Sequence, residues 1–217
     1  MSLSAALCAV SLAFAPASPA PSAPHLAIPA TADSALVALY QSGQTWESFL
    51  GETRARREMW LRHATEGVIP ADAVARASAL PGRYRLLVVS VDMCSDSVNT
   101  VPFIARLVAA VPQLEMRVIT PTQGREMMEA RRTPDGRPAT PTVVILDASG
   151  AEVGCWIERP AALQAIAIQM RTDGQMDEFV PKKAAWYEAD AGVSTVNELV
   201  ALLERAAAGA TGCTPGR

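Results

Sequence analysis

Between Tyr84 and Val91 almost every position is apolar, interrupted only by Arg85 and Ser90. A short, nearly continuous run of this kind predicts a central strand buried on both faces. The period then lengthens, and Ser95 to Ala110 reads as a helix. Leu114 to Thr120 predicts a second strand and Arg125 to Arg132 a short helix, followed by the polar loop TPDGRPAT. Thr142 to Asp147 and Glu152 to Ile157 predict two strands joined by Ala148-Ser149-Gly150, a hairpin by length and composition. Pro160 to Met170 predicts a helix. MDEFVPKKAAWYEADAG follows it, and STVNELVALLERAAAG then predicts an amphipathic helix capped by Ser194 or Thr195.

Upstream of the first strand the pattern is helical. ADSALVALYQSG suggests a short helix ending near Gly43. Thr45 can cap a long helix over TWESFLGETRARREMWLRHATEG, whose apolar face is Trp46, Phe49, Leu50, Met59 and Trp60, with Gly67 as the stop. IPADAVARASALPG reads as a third helix, with Pro70 near its start and Pro81-Gly82 past its end. The order that results is α/β: a parallel strand pair joined by a crossover helix, then an antiparallel pair. Four segments emerge: a leader and linker over 1–32, a helical extension over 33–82, an α/β domain with C-terminal helices over 83–208, and a flexible tail over 209–217. There is no internal repeat.

Composition narrows the class. The chain has 217 residues, 50% of them hydrophobic, enough for one domain with a sizeable core. A net charge of −3 offers no broad basic face for nucleic acid. The group Arg54, Arg56, Arg57 reads as a solvated helix face beside Glu52 and Glu58. His25 and His63 are the only histidines and neither is near a cysteine, so no metal site is expected. The four tryptophans (46, 60, 156, 186) and the Met-rich GREMMEAR read as packing residues.

The start is two-sided. Leu3 to Phe14 is an apolar run followed by small residues suited to a signal peptidase, yet no Lys or Arg precedes Arg54. Export to an oxidising compartment and retention in the cytoplasm weigh equally. No stretch after the leader is long enough to span a membrane.

Candidate chemistry centres on Cys94. Cys8 lies in the leader and Cys213 in the tail, which leaves Cys94 and Cys155 in the folded part, with no spacing that suggests a disulfide framework. Cys94 stands where a buried strand ends and a helix begins. Unpaired N–H groups and the helix dipole stabilise an anion there, and the thiolate is the nucleophilic form. Ser97 could turn its hydroxyl toward the sulfur, whereas Asp92 and Asp96 oppose a negative charge. A lone cysteine ordinarily just packs. Two prolines argue for more: Pro102, inside the helix that Cys94 opens, and Thr140-Pro141 at a strand entry, where a cis bond could be held.

The stretches VDMCSDS, GRPATPTVVILD, VGCWIERP and KKAAWYEADAGVSTVNEL together resemble the thioredoxin fold. The closer likeness is to a bacterial thioredoxin-like family with a helical N-terminal extension and a late Trp-Tyr motif, here Trp186-Tyr187. The resemblance spans roughly Tyr40 to Glu204. It implies a mixed central sheet flanked by helices and an attacking cysteine at Cys94. It also implies a substrate groove at Met93, Ser95, Thr140 and cis-Pro141. The departures are Met93 for the usual aromatic, Ser95 for glycine and Ser97 for the second cysteine. In the family that second thiol resolves the mixed disulfide made by the first.

The expected function is therefore thiol–disulfide exchange through Cys94 alone, with Ser97 modulating the thiolate and no bound cofactor. Glutathione, another external thiol or a partner's cysteine would release the product. The partners are protein thiols and disulfides or an extended peptide. The alternative is a redox-inactive module that binds such a peptide. Oxidation of Cys94 by peroxide is a third reading with no specific support. Cys155 is a candidate second thiol. Against that role, a separation of two or more strands from Cys94 exceeds the ~7 Å Cα reach of a disulfide.

Overall fold

The computed structural model describes residues 33–213; the leader and linker over 1–32 lie outside the described residues. Four strands form one mixed sheet in the order β2-β1-β3-β4: β1 (Tyr84–Val89), β2 (Leu114–Ile119), β3 (Thr142–Leu146) and β4 (Glu152–Ile157). β1 pairs parallel with β2 and antiparallel with β3, and β3 pairs antiparallel with β4. Alternation along β1 splits the core. Leu86 and Val88 join Val143, Ile145 and Trp156 on one face, while Leu87 and Val89 join Val144, Leu146 and Ile119 on the other. The first face is covered by α5 (Ser95–Ala110) and α9 (Val193–Ala207), the second by α1 (Ser34–Ser42) and α6 (Arg125–Ala130). The remaining helices are α2 (Trp46–Glu52), α3 (Arg57–Glu66), α4 (Ala71–Ser78), α7 (Ala161–Thr172) and α8 (Met176–Asp190). Among the described residues no helix is long and apolar enough to cross a membrane.

The helical extension is built into the domain. Gln44 exchanges two backbone bonds of 2.9 Å with Val118, occupying the outer edge of β2. Trp60, fully buried, packs against Trp46 and Phe49 and belongs to the main core.

Pro102 explains how α3 meets α5. A proline has no N–H to give the carbonyl four residues earlier, at Val98. α5 nevertheless runs unbroken from Ser95 to Ala110. His63 Nδ1 lies 2.8 Å from that Val98 oxygen and, carrying the hydrogen, donates to it. The His63 ring also packs, tilted, against Phe103, and Arg106 donates to the Ala64 carbonyl at 2.8 Å. Gly192, just before α9, has φ +82, and a Cβ there would lie 2.2 Å from the Phe103 ring.

Three local expectations are corrected. The single helix expected over residues 45–67 is two, α2 and α3, separated at Thr53–Arg56. α9 begins at Val193, after Gly192, so neither Ser194 nor Thr195 is its cap residue; the Asp190 carboxylate instead accepts from the Ser194 N–H. Cysteine spacing suggested no disulfide, yet Cys155 is bonded to Cys213 across 58 residues. With Gly212 N–H donating to the Glu152 carbonyl, that bond holds the start of the presumed tail against edge strand β4.

His63→Ala is expected to destabilise the protein by about 1–3 kcal/mol, the cost of leaving the Val98 carbonyl unpaired. In a Pro102→Ala background, residue 102 recovers an N–H for that carbonyl, and the loss from His63→Ala becomes smaller. A double-mutant cycle by urea denaturation measures the difference, and additive effects would contradict the coupling.

Candidate functional site

β1 ends at Val89, and the chain turns through Val91–Met93, closed by the Cys94 N–H donating to the Val91 carbonyl at 3.1 Å. Cys94 is the N-cap residue of α5, in extended geometry. Its carbonyl accepts the Val98 N–H at 3.1 Å, and its sulfur accepts the Ser97 N–H at 3.4 Å. A side chain accepting one of the four unsatisfied N–H groups of a helix start is the ordinary capping role. Here a thiol fills it, which also brings the helix dipole to bear on the sulfur. The thiol donates to the Thr140 carbonyl at 3.2 Å, and the Thr140–Pro141 peptide bond is cis. Met93, Cys94, Thr140 and Pro141 thus come together from two distant parts of the chain. Cys94 is half-buried, Pro141 is buried, and Met93 is 67% exposed on the rim.

Ser97 sits directly beneath the sulfur but does not use its hydroxyl. The contact is through the backbone N–H; the hydroxyl is buried and makes no hydrogen bond. Ser95 turns the other way and accepts from Lys183 Nζ at 2.7 Å.

Below the first turn of α5 lies a buried ionic cluster. Asp96 is 5% exposed and accepts from Lys183 Nζ at 2.9 Å, from the Tyr187 hydroxyl at 2.8 Å and from Arg159 at 3.4 Å. Arg159 also bonds Glu158, and Glu158 pairs with Arg137 at 3.0 Å. Burial, then the Asp96 charge, push the Tyr187 hydroxyl far above its ordinary pKa, so it is a hydrogen donor throughout the working range. An uncompensated buried carboxylate is expensive, and partners supplied from outside the helix offset it. Asp96 was expected to oppose a thiolate on Cys94. Lys183 and Arg159 counter that charge at close range. The sequence offered Tyr187 only as part of the late Trp-Tyr motif and gave Lys183 and Arg159 no role; the signal available was that both quoted stretches, VGCWIERP and KKAAWYE, contain these residues.

On the other side, the break between α2 and α3 grips the turn. The Asp92 carboxylate accepts the N–H groups of Arg54 and Ala55, both at 2.8 Å, and Trp60 Nε1 donates to the Asp92 carbonyl at 2.9 Å. These backbone bonds, that from Arg54 first, hold the Asp92 carboxyl below its usual pKa although burial pushes it up. Arg56 adopts the left-handed region at φ 55, which costs a residue with a Cβ roughly 1–2 kcal/mol, and its Nε donates to the Met93 carbonyl at 3.0 Å. Arg57 donates to the carbonyls of Leu50 and Thr53, and Arg54 to those of Gly51 and Thr53. The three arginines are exposed, as expected of a solvated face, but Arg54 and Arg57 also fasten backbone in or beside the break and Arg56 fastens the turn at Met93.

Cys155 does not stand with these residues as a thiol. It pairs with Val144 in the interior of the hairpin, two residues in from the Thr142–Ile157 pair, and its sulfur is bonded to Cys213. Cys94 is the free cysteine among the described residues.

Residues 43–171 match the thioredoxin family, and the chain belongs to that family. Two solved structures share its fold. A protein of unknown function from Pseudomonas aeruginosa is 21% identical with a TM-score of 0.62, over 76% of this chain and 95% of that one. An HIV epitope-scaffold is 19% identical with a TM-score of 0.59, over 77% of this chain and 96% of that one. No curated protein matches the chain.

Two outcomes follow for the site. Lys183→Met is expected to lower stability by about 1–3 kcal/mol, because Asp96 loses a charged donor while Arg159 and Tyr187 remain; chemical denaturation measures it. Asp92 has a lowered folded pKa, so its contribution is present above the ordinary value of 3.8 and fades as pH falls through the folded one. Asp92→Asn should therefore be less stable than wild type at pH 7 and converge with it in acid. Parallel stability curves at pH 7 and below pH 3 would contradict that assignment.

Proposed function

We propose that this thioredoxin-family protein carries out thiol–disulfide exchange through one cysteine, Cys94. The observation that carries the reading is the free thiol at the start of α5, accepting the Ser97 N–H and adjoining cis-Pro141. In that role the Cys94 thiolate attacks one sulfur of a substrate disulfide. A bond forms between Cys94 and that sulfur, and the other substrate sulfur leaves as a thiolate. Thr140 and Pro141 would line an extended substrate segment, with Met93 as an apolar rim and Ser95 beside it. With serine at 97, nothing in the motif can attack the mixed disulfide. An external thiol such as glutathione, or a cysteine of the partner, completes the exchange. A redox-inactive module binding an extended peptide in the same groove is the second reading. It is favoured by the buried, unpartnered hydroxyl of Ser97 where a resolving thiol would stand.

Insulin reduction is expected near background, while a small aromatic disulfide should leave a stable adduct on Cys94 by mass spectrometry. Ser97→Cys should raise insulin reduction at least tenfold by restoring a resolving thiol. A Cys94 that resists both iodoacetamide and the aromatic disulfide at neutral pH would leave only the binding module.

A further inference from the structure

The site needs a thiol from outside, and one feature beside Cys94 bears on which thiol that is. Arg56 is held in left-handed backbone geometry at the break between α2 and α3, with Nε on the Met93 carbonyl, one bond from the Cys94 nitrogen. Its two terminal nitrogens make no hydrogen bond or ion pair among the described residues, and the side chain is exposed. Arg54 and Arg57, by contrast, spend terminal nitrogens on backbone carbonyls. Strained backbone at a functional loop is a reason to look for a role. Here the Asp92 clamp on Arg54 and Ala55 and the Trp60 bond hold the backbone of the break against the turn, and the Nε bond to Met93 holds the Arg56 guanidinium at its edge. Glu52, Glu58 and the anionic Asp92 lie in the same region, so there is no broad positive field; what is offered is a single open, planar fork. Such a fork matches a carboxylate.

We propose that Arg56 is the carboxylate-recognition residue of this site, receiving a low-molecular-weight thiol that carries carboxylates, the class to which glutathione belongs. The inference rests on single-cysteine exchange at Cys94. The thiolate of that small molecule attacks the Cys94 sulfur of the mixed disulfide and expels the substrate as a thiolate. A second thiolate of the same kind then attacks the small-molecule sulfur. Cys94 leaves as a thiolate, and two small thiols have been oxidised to their disulfide while the substrate disulfide has been reduced.

The test uses the full chain carrying a preformed mixed disulfide on Cys94. The rate constants for its resolution by glutathione and by neutral 2-mercaptoethanol are measured per thiolate and taken as a ratio, which cancels any general disturbance of the turn. Arg56→Gln is expected to lower that ratio about three- to five-fold, as befits a solvent-exposed ion pair. Raising the salt concentration should lower the wild-type ratio in the same direction, a measurement that needs no variant to fold. Arg56→Lys should retain the salt dependence. A ratio unchanged by Arg56→Gln and by salt, with the mixed disulfide forming normally, overturns the Arg56 assignment alone. Failure of any disulfide to form an adduct on Cys94 removes the underlying reading as well. A second arm forms the mixed disulfide with peptides whose cysteine is flanked by glutamate or by glutamine. If Arg56→Gln slows capture of the acidic peptide and leaves the thiol ratio intact, the recognised carboxylate belongs to the substrate, and the proposal fails as stated.

Discussion

A carboxylate buried in the first turn of a helix must find partners, and Asp96 organises much of this molecule around that need. α5 itself supplies none of the hydrogen bonds that this carboxylate accepts from the described residues. They come instead from Arg159 just beyond β4, and from Lys183 and Tyr187 on α8. α8 is thereby tied to the turn that carries Cys94. The same pairing relieves Cys94 of a negative neighbour two residues away.

The opposite side of the site follows a similar rule with backbone groups. Pro102 leaves the Val98 carbonyl without its helical partner, and His63 from the extension meets it. Asp92 leaves a carboxylate at the surface of the turn, and the broken helix presents two N–H groups to it. Each is an unsatisfied group in one segment answered by another far away in sequence. The extension is therefore part of the site's architecture, and Arg56 is carried into position by it.

Most of the regular elements were legible. The β1 run and the α5 period lie within the residues that form them, because a central strand and an amphipathic helix obey local periodicity. Cys94, Thr140 and Pro141 were readable as one site through resemblance to a family pattern. The break at Thr53–Arg56 was not. The segment is rich in helix formers, and what interrupts it is Asp92, 37 and 38 residues away. The buried hydroxyl of Ser97 was equally out of reach, since rotamer and burial depend on what packs around it.

By itself the sequence determined the α/β order of the elements, the single cysteine at the start of a helix, and the absence of a second thiol three residues later. Those are matters of periodicity and residue identity. Tertiary structure decided which distant groups face one another: Lys183 and Tyr187 on Asp96, His63 on Val98, Cys213 on Cys155, and the Arg56 fork beside Met93. The physical reason is the same in the hydrogen-bonded cases. A buried or orphaned polar group specifies that it needs a partner, and only the folded chain specifies which one it receives.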